Sequence, residues 1–457
     1  MLAFRDHPAL ATDPWQVSLA ARLRGEPQLP GDKSISHRAL LLALLAEGTS
    51  MVLGASPGLD VGSTIGVLRA LGATVEDEPD GEGRRSCRVV SPGIEALRAP
   101  AGVLDCGNSG TTLRLVAGIL AGQPMTAVLD GDASLRGRPV ARIIEPLRSM
   151  GAVLRGRRRD TLPPVTVVGR RILRPVDWTT AVPSAQVKSA ILLAGLRAEG
   201  TTRVHEPVAT RDHTERMLRA RGVPVRAADQ PGGARTIEIE GGMPVAPRDE
   251  RVPGDPSAAA FWLVAGAIHP DAALRLASVG VNPTRRAAID VLRRMGAEIL
   301  ETPGPGSPTA DAAGDGEPVA DLAVRSSVLH AVELAPGETA RAIDELPVLA
   351  LAATQARGRT RIRGAGELRV KESDRLTGVA AGLRALGASV AIEGDDLVID
   401  GPTPLRGAVV DALADHRLAM TFAIAGLVAS GRTTIGGASS AAISDPRFSA
   451  ELERIRT

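Results

Sequence analysis

The sequence predicts an α/β protein built from six repeats of one unit. Two observations predict it: a helix end that recurs five times and an apolar helix that recurs six times. Their spacing of about 75 residues accounts for nearly the whole chain of 457 residues. Each unit is interpreted as strand, buried helix, strand, surface helix and strand.

The recurring helix end joins Leu-Arg to a glycine and then to an apolar residue, as in VLRALGATV (67–75) and GLRALGASV (382–390). Glycine adopts the left-handed conformation that ends a helix at little cost, and a strand follows. Arginine in the last turn complements the negative end of the helix dipole. The pattern therefore predicts left-handed turns at Gly72, Gly151, Gly222, Gly296 and Gly387.

The apolar helices are rich in Ala and Leu nearly all round, which predicts that they are buried. The helix that follows each of them carries arginine on one face, which predicts a surface position. Successive apolar helices start 71 to 89 residues apart, and the longest step contains a Pro/Gly-rich stretch at 303–318 that predicts a surface insertion. The apolar helices span about 32–48, 107–122, 183–200, 255–268, 344–358 and 415–431. Three units are expected in each of two lobes, which join near 251–256.

Each apolar helix begins with polar residues, and a helix N-terminus attracts anions through its free N–H groups and its dipole. Helix capping alone is the alternative explanation, and it suffices for Asp255 and Asn108. Capping does not account for the other residues at these starts, namely Lys33, Arg38, Gln186, Lys188 and the Asp-His-Arg at 415–417. The starts therefore predict anion binding, at one cleft if the helices run the same way.

Composition excludes several classes of function. A net charge of +2 and 2% aromatic residues disfavour nucleic-acid binding. No apolar run is long enough to span a bilayer, and the N-terminal MLAFRDHPALATDPW does not resemble a signal peptide. Two cysteines are too few for a disulfide framework or a cysteine-rich zinc site. A cytoplasmic protein without a metal is expected.

Lysine is rare, occurring only at Lys33, Lys188 and Lys371 against 54 − 3 = 51 arginines. In so arginine-rich a chain, a remaining lysine either marks a site that needs a compact ammonium or persists by chance.

The segment PGDKSISHRALLLALL (30–45) places Lys33, Ser34 and Arg38 where they can hold a phosphate or a carboxylate. It superficially resembles a P-loop, but Asp32 separates the glycine from the lysine and Gly25 lies at the wrong spacing. A kinase or an ATPase is therefore disfavoured.

Signature segments occur in order in all six units: the Lys-Ser-x-Ser-x-Arg run at 33–38, LDCGNSGTTLR (104–114), LDGDASLRGRPV (129–140), PSAQVKSA (183–190), TRDHTERML (210–218), VPGDPSAAAF (252–261), IDELPVLA (343–350), RVKESDRL (369–376) and DHRLAM (415–420). In these segments the chain resembles the 5-enolpyruvylshikimate-3-phosphate synthase family, the 3-phosphoshikimate 1-carboxyvinyltransferases.

The resemblance implies the two-lobed enolpyruvyl transferase fold, an inside-out α/β barrel of six βαβαββ-type repeats, three per lobe. One lobe is expected at 32–250 and the other at 1–31 plus 251–457. The implied activity is transfer of the enolpyruvyl group of phosphoenolpyruvate to the 5-hydroxyl of 3-phosphoshikimate in the shikimate pathway. No cofactor, metal, nucleic acid or membrane is implied, and a monomer is expected.

The resemblance also assigns site residues. Those implied for 3-phosphoshikimate are Lys33, Ser34, Arg38, Ser184, Ala185, Gln186, Arg211, Asp344 and Lys371. Those implied for phosphoenolpyruvate are Lys33, Gly110, Arg138, Gln186, Arg375 and Arg417. Asp344 is the implied base for the hydroxyl, and either Lys33 or Glu372 the proton donor to the methylene carbon.

Some assignments leave alternatives open. Asp344 could act only as a helix N-cap, and Glu372 could simply pair with Arg375 three residues on. His416 is expected to cap and orient its helix. Lys188 is interpreted either as lining the cleft or as covering its wall with the side-chain stem, and it is not assigned to the site.

The chain departs from many family members at Glu367, where asparagine is common, and in AAISDPRF (441–448), which lacks a lysine that some members have. Gly110 implies sensitivity to glyphosate, an inhibitor that competes for the phosphoenolpyruvate pocket. Two rival interpretations are the sister transferase that acts on UDP-N-acetylglucosamine and an inactive binding protein on the same fold.

Overall fold

The computed structural model describes residues 14–81, 83–304 and 316–457, so that 305–315 of the predicted surface insertion lie outside the described residues. The chain divides into two compact units. The 33–252 unit runs from Lys33 to Val252, and the 253–457 unit combines the described N-terminal residues 14–32 with most of the chain from Pro253 onward. Each unit has its own hydrophobic core.

The 33–252 unit contains three four-stranded sheets with one shared order. In each sheet a short strand pairs in parallel with the second strand, and the remaining pairs are antiparallel. The strands, in sheet order, are Glu250–Arg251, Glu47–Ala55, Arg85–Pro92 and Thr74–Pro79; Leu104–Asp105, Thr126–Asp130, Leu162–Val168 and Val153–Gly156; and Asp177–Thr179, Thr201–Glu206, Arg235–Glu240 and Val225–Asp229. The first repeat thus takes its short strand from the end of the third.

The 253–457 unit repeats this arrangement in two four-stranded sheets, and its last sheet has three strands; the N-terminal strands contribute to two of these sheets. Its sheets are formed by Leu23–Gly25, Ala272–Gly280, Val319–Arg325 and Glu298–Pro303; by Glu333–Leu334, Gly358–Ile362, Asp396–Gly401 and Ser389–Glu393; and by Val409–Asp411, Arg432–Gly436 and Trp15–Ser18. Leu23–Gly25 supplies the short parallel strand of the first sheet, and Trp15–Ser18 pairs antiparallel with Arg432–Gly436 in the last. The predicted class of six βαβαββ-type repeats, three in each unit, is confirmed.

The six apolar segments form helices that are buried nearly all round, as the sequence predicts. They are Lys33–Leu45, Gly110–Ala121 and Ala185–Gly195 in the 33–252 unit, and Pro256–Ile268, Leu346–Thr354 and His416–Gly426 in the 253–457 unit. No helix in the described part of the chain is both long enough and apolar enough to cross a membrane.

The five predicted turn glycines all have left-handed backbone conformations, with φ between 83° and 105°. The second helices of the repeats are Leu59–Ala70, Ala141–Ser149, His213–Arg219, Ala287–Arg294, Arg375–Ala385 and Phe448–Ile455. Shorter helical segments lie at Leu135–Gly137, Pro336–Arg341, Ala365–Val370 and Ala438–Ile443.

The prediction of a surface position is wrong for the helix His213–Arg219. All of its residues from His213 to Leu218 are buried. The reason is that its polar side chains have internal partners, such as Asp212 Oδ2, which lies 2.9 Å from Arg216 Nε. Buried polar groups are tolerated when they are hydrogen-bonded or paired.

Aromatic residues gather where the N-terminal strand meets the 253–457 core. The Phe448 ring packs against Trp262 with centroids 4.9 Å apart, against Phe261 at 5.8 Å and against Trp15 at 6.2 Å. Large buried aromatic side chains stabilise packing strongly. In a chain with only 2% aromatic residues, this cluster fixes the strand Trp15–Ser18 to the last repeat.

Candidate active site

The buried helix Lys33–Leu45 begins with a lysine that is ion-paired. Lys33 Nζ lies 3.1 Å from Asp60 Oδ2, in the first turn of Leu59–Ala70, and the Lys33 side chain is 19% exposed. Ser34 is partly exposed beside it. The pair holds a partly accessible ammonium at a helix N-terminus, where backbone N–H groups also favour an anion.

Arg38 is buried and joins three helices. Its Nε donates to Thr214 Oγ1 at 2.7 Å, and its two terminal nitrogens donate to the Ser34 carbonyl and to Ser189 Oγ, each at 2.9 Å. These bonds connect the start of Lys33–Leu45 to Ala185–Gly195 and His213–Arg219. Arg38 therefore holds these three helices together, in addition to its predicted contact with 3-phosphoshikimate.

A chain of hydrogen bonds connects the first two buried helices. His37 Nδ1 lies 2.7 Å from Thr64 Oγ1, which lies 2.7 Å from Thr112 Oγ1, and Thr112 bonds in turn to Ser109, the N-cap of Gly110–Ala121. Burial, with Lys33 and Arg38 nearby, holds the pKa of His37 well below its usual value. The imidazole is therefore neutral and adds no further positive charge between the two cations.

Gly110 begins the second buried helix and lies under an arginine that the sequence did not assign to the site. Arg114 donates from one terminal nitrogen to Gln186 Oε1 at 2.6 Å and from the other to the Pro139 carbonyl at 3.0 Å. A Cβ atom on Gly110 would lie 2.6 Å from that first nitrogen and 3.5 Å from Arg138. Glycine here leaves room for both guanidinium groups.

Arg138 approaches the same helix start from the turn after Leu135–Gly137. Its guanidinium donates to Asn108 Oδ1 at 2.5 Å and to Ser134 Oγ at 3.2 Å. The Asn108 amide donates in turn to Asp132 Oδ2 at 2.6 Å. The structure therefore brings the predicted Gly110, Arg138 and Gln186 together.

The third buried helix presents the predicted Ser184, Ala185 and Gln186 at its start. Ser184 is the N-cap, and its hydroxyl accepts from the Val187 N–H at 3.4 Å. The Gln186 amide donates to Thr111 Oγ1 at 2.9 Å, which ties this start to that of Gly110–Ala121. Arg211 is partly exposed in the loop before His213–Arg219.

In the 253–457 unit Arg375 is a fully buried cation among carboxylates. Its Nε lies 2.7 Å from Asp415 Oδ2, one terminal nitrogen 2.6 Å from Glu372 Oε2 and the other 3.7 Å from Asp344 Oδ1. Burial lowers the pKa of Arg375, but the carboxylates of Glu372, Asp415 and Asp344 outweigh it and raise the pKa above its ordinary value. The guanidinium therefore stays charged.

Asp344 lies between two cations. Its Oδ1 is 3.4 Å from Lys371 Nζ and 3.7 Å from Arg375, and its side chain is 19% exposed. The following helix begins at Leu346 with Glu345 at the N-cap position, so Asp344 is not the helix cap. The alternative pairing of Glu372 with Arg375 is present in the structure.

The start of His416–Gly426 completes this group. Asp415 caps the helix by accepting from the Arg417 N–H at 2.8 Å, and it also accepts from Ser373 Oγ at 3.0 Å. The preceding Leu413 and Ala414 both have positive φ values, 53° and 52°, a strained conformation that often marks functional segments. Within the described residues, the Arg417 guanidinium has no hydrogen-bond or ion-pair partner.

Among the charged residues that contact the predicted site residues, Asp60, Arg114 and Asp415 were not assigned to the site from the sequence. A signal existed for Arg114, since it lies four residues after Gly110 on one helix face. No group of three or more His, Cys, Asp or Glu side chains in the described ranges is placed to hold a metal ion. The arrangement suits chemistry on anions by charge stabilisation and proton transfer.

Comparisons with known proteins agree with the motifs. The model of the family described as EPSP synthase (3-phosphoshikimate 1-carboxyvinyltransferase) matches residues 17–452. Relatives named 3-phosphoshikimate 1-carboxyvinyltransferase include one from Gloeobacter violaceus, 50% identical over 97% of this chain and 99% of its own, and one from Roseiflexus castenholzii, 50% identical over 95% and 98%.

A solved structure of EPSP synthase from Acinetobacter baumannii superposes with a TM-score of 0.83 at 39% identity, covering 97% of this chain and 98% of the other. The enolpyruvyl transferase NikO from Streptomyces tendae superposes with a TM-score of 0.75 at 20% identity over 97% and 98%, which shows a shared fold alone. The family predicted from the motifs is confirmed: the chain belongs to the EPSP synthase (3-phosphoshikimate 1-carboxyvinyltransferase) family.

Proposed function

We propose that the chain transfers the enolpyruvyl group of phosphoenolpyruvate to the 5-hydroxyl of 3-phosphoshikimate. The oxygen adds to C2 of phosphoenolpyruvate while C3 gains a proton, which gives a tetrahedral intermediate. Loss of phosphate from C2 and of a proton from C3 then restores the double bond in 5-enolpyruvylshikimate 3-phosphate. Membership of the family and the shared name of the full-length relatives support this reaction.

The two substrates together bring two phosphates and two carboxylates, which repel one another unless cations and N–H donors surround them. In the 33–252 unit, Lys33 begins a buried helix, and the guanidinium groups of Arg114 and Arg138 lie beside the start of Gly110–Ala121. In the 253–457 unit, Arg417 is buried at such a start. Arginine suits the planar carboxylate of phosphoenolpyruvate because its donors form a fixed fork.

Asp344 is the proposed general base for the 5-hydroxyl. The observation that carries this proposal is its carboxylate, partly exposed and held beside Lys371 and Arg375. The two cations hold the carboxylate in place, and they also favour the negative charge that develops on the substrates.

Lys33 and Glu372 are the proposed candidates for moving the proton at C3. Lys33 is paired with Asp60, and Glu372 with Arg375, so each has a charged partner that directs its side chain. The reaction in D₂O separates them. The variant that lacks the true donor should incorporate deuterium into the product methylene far more slowly than the wild type. The other variant should keep the wild-type ratio of deuterium incorporated to product formed.

The decisive experiment is release of phosphate from the two substrates, with the organic product identified by mass spectrometry. Phosphate is expected when 3-phosphoshikimate and phosphoenolpyruvate are both present and from neither alone. If calorimetry shows that both bind and no phosphate appears, the inactive binding protein is the correct interpretation. Turnover of UDP-N-acetylglucosamine instead would favour the sister transferase.

A cytoplasmic monomer is proposed as the working form. Gel filtration at assay concentrations tests the monomer, and a larger species would refute it.

A further inference from the structure

Lys188 is a fully buried lysine that the proposed reaction does not use. Its Nζ lies 2.9 Å from Glu206 Oε2 and 2.8 Å from Glu215 Oε1, and both carboxylates are as buried as the lysine. Burial lowers the pKa of Lys188, but the two carboxylates outweigh it and raise the pKa above its ordinary value. We call Lys188, Glu206 and Glu215 the Lys188 triad.

The triad joins three elements of the 33–252 unit. Lys188 belongs to the buried helix Ala185–Gly195, one turn after its Ser184 cap, and its N–H donates to the Ser184 carbonyl at 3.1 Å. Glu206 ends the strand Thr201–Glu206, and Glu215 lies in the first turn of His213–Arg219. A single ammonium therefore fixes both ends of the intervening loop.

That loop carries Arg211, which is predicted to bind 3-phosphoshikimate. Glu206 also holds the loop from within, because it accepts hydrogen bonds from the Thr210 hydroxyl and from the Thr210 N–H, the latter at 3.4 Å. Thr210 directly precedes Arg211. The position of the Arg211 backbone thus depends on Lys188 through one intermediate carboxylate.

A second layer of bonds lies next to the triad. Ser189 and Thr214, the chain neighbours of Lys188 and Glu215, bond to each other at 2.7 Å, and both bond to Arg38. The start of Lys33–Leu45 is therefore tied to the same two helices. The predicted 3-phosphoshikimate residues of this unit lie on the elements that these two layers connect.

We propose that Lys188 is a positioning residue, which through Glu206 and Glu215 holds Arg211 and the Ser184–Gln186 turn in place for the phosphate of 3-phosphoshikimate. The proposal rests on the proposed function. Burial of ionic groups is often no more stabilising than an apolar replacement of similar volume. A triad with one positive and two negative groups is therefore better explained by the geometry that it enforces than by stability.

The test is a triple variant, Lys188→Met with Glu206→Gln and Glu215→Gln, which removes all three charges, keeps the length of the two glutamate side chains and shortens the lysine side chain by a single heavy atom. It is expected to fold. Its dissociation constant for 3-phosphoshikimate, measured by calorimetry, should rise on the order of ten- to a hundredfold because the anion-binding groups are misplaced. KM for phosphoenolpyruvate at saturating 3-phosphoshikimate should change much less. A folded triple variant that binds 3-phosphoshikimate like the wild type overturns the proposal.

A matched control is Arg221→Met. Arg221 is a fully buried cation of the same unit, with a terminal nitrogen 3.5 Å from Glu250 Oε2, outside the proposed site. It should lower the melting temperature and leave 3-phosphoshikimate binding unchanged. An equal loss of binding in this control also overturns the proposal, because it would reflect general loosening.

If the triple variant does not fold, the single variant Glu215→Gln is tested in its place. This variant is expected to fold because Lys188 and Glu206 remain paired. Weaker 3-phosphoshikimate binding supports the proposal, and wild-type binding overturns it. Calorimetry does not require turnover, so this outcome is independent of the proposed reaction. Absence of phosphate release by the wild-type protein would instead refute the proposed function.

Discussion

Gly110→Ala tests how the helix start controls the predicted phosphoenolpyruvate site. The added Cβ would lie 2.6 Å from a terminal nitrogen of Arg114, which is too close for two non-bonded heavy atoms. The contact is with the far end of a flexible side chain, so the arginine can move and the fold is expected to survive. The nitrogen that must move is the one bound to Gln186 Oε1 at 2.6 Å.

The magnitude follows from the hydrogen bond that is lost. A hydrogen bond to a charged group contributes about 1.5–3 kcal/mol. Moving Arg114 also frees Gln186, which is predicted to bind phosphoenolpyruvate. At 1.36 kcal/mol per tenfold change, loss of transition-state stabilisation of the same size should lower kcat/KM for phosphoenolpyruvate by about tenfold to a hundredfold. The same methyl group projects towards Arg138, at 3.5 Å, so glyphosate is expected to inhibit the variant less than the wild type.

The assay is steady-state phosphate release at saturating 3-phosphoshikimate, with thermal unfolding measured in parallel. Gly118→Ala on the same helix is the control, because its Cβ would lie 2.3 Å from the Ala190 carbonyl oxygen, where backbone must shift. That control should lose stability. The reasoning is refuted if Gly110→Ala keeps wild-type kcat/KM for phosphoenolpyruvate, or if it loses as much stability as the control.

Three further substitutions test, in turn, the proposed general base, a buried ion pair and a buried carboxyl group with a raised pKa. Asp344→Asn should lower kcat by about 10²–10⁴-fold because it removes a general base; unchanged kcat refutes that role. Asp415→Asn leaves Arg375 without one buried partner, so a loss of about 3–5 kcal/mol of unfolding free energy is expected in denaturant titrations, and wild-type stability contradicts it. Burial raises the pKa of Asp445 from 3.8 to about 7, so the folded state retains a proton that the unfolded state loses, and stability should fall as pH rises between these values. Asp445→Asn should abolish this fall, and the variant should be more stable than the wild type at pH 8 by up to about 4 kcal/mol for three pKa units. If the unfolding free energies of the variant and of the wild type change with pH in the same way, this expectation is wrong.

Local signals in the sequence predicted the repeat correctly. The left-handed turns at Gly72 and Gly296 follow from a property of one residue in a fixed context, and the buried helices follow from apolar residues on all faces. The helix His213–Arg219 is buried, contrary to the predicted surface position, because its arginine and glutamate side chains pair inside the protein. A pattern of residue types cannot distinguish a solvated charge from one with a buried partner.

The candidate site was predictable where a motif carries it and not where a tertiary contact creates it. Lys188 and its partners Glu206 and Glu215 lie far enough apart in sequence that no helical or strand period relates them. Asp60 is similar: it faces Lys33 only because two helices of the first repeat pack together. For such residues the sequence shows a charge but not the partner that determines its role.

In the 253–457 unit, the buried arginines Arg375 and Arg417 differ in how far nearby carboxylates already neutralise their charge. Arg375 has three carboxylates around it, so a ligand carboxylate that approached it would compete with groups held at 2.6–3.7 Å. Arg417 is only 7% exposed, and within the described part of the chain its guanidinium has no carboxylate partner. A buried cation without a partner gains most from an incoming anion, because that anion restores the charge balance that burial disturbs. We therefore expect Arg375 chiefly to hold Asp344, Glu372 and Asp415 in one arrangement, and we expect Arg417 to supply the attraction that remains for phosphoenolpyruvate.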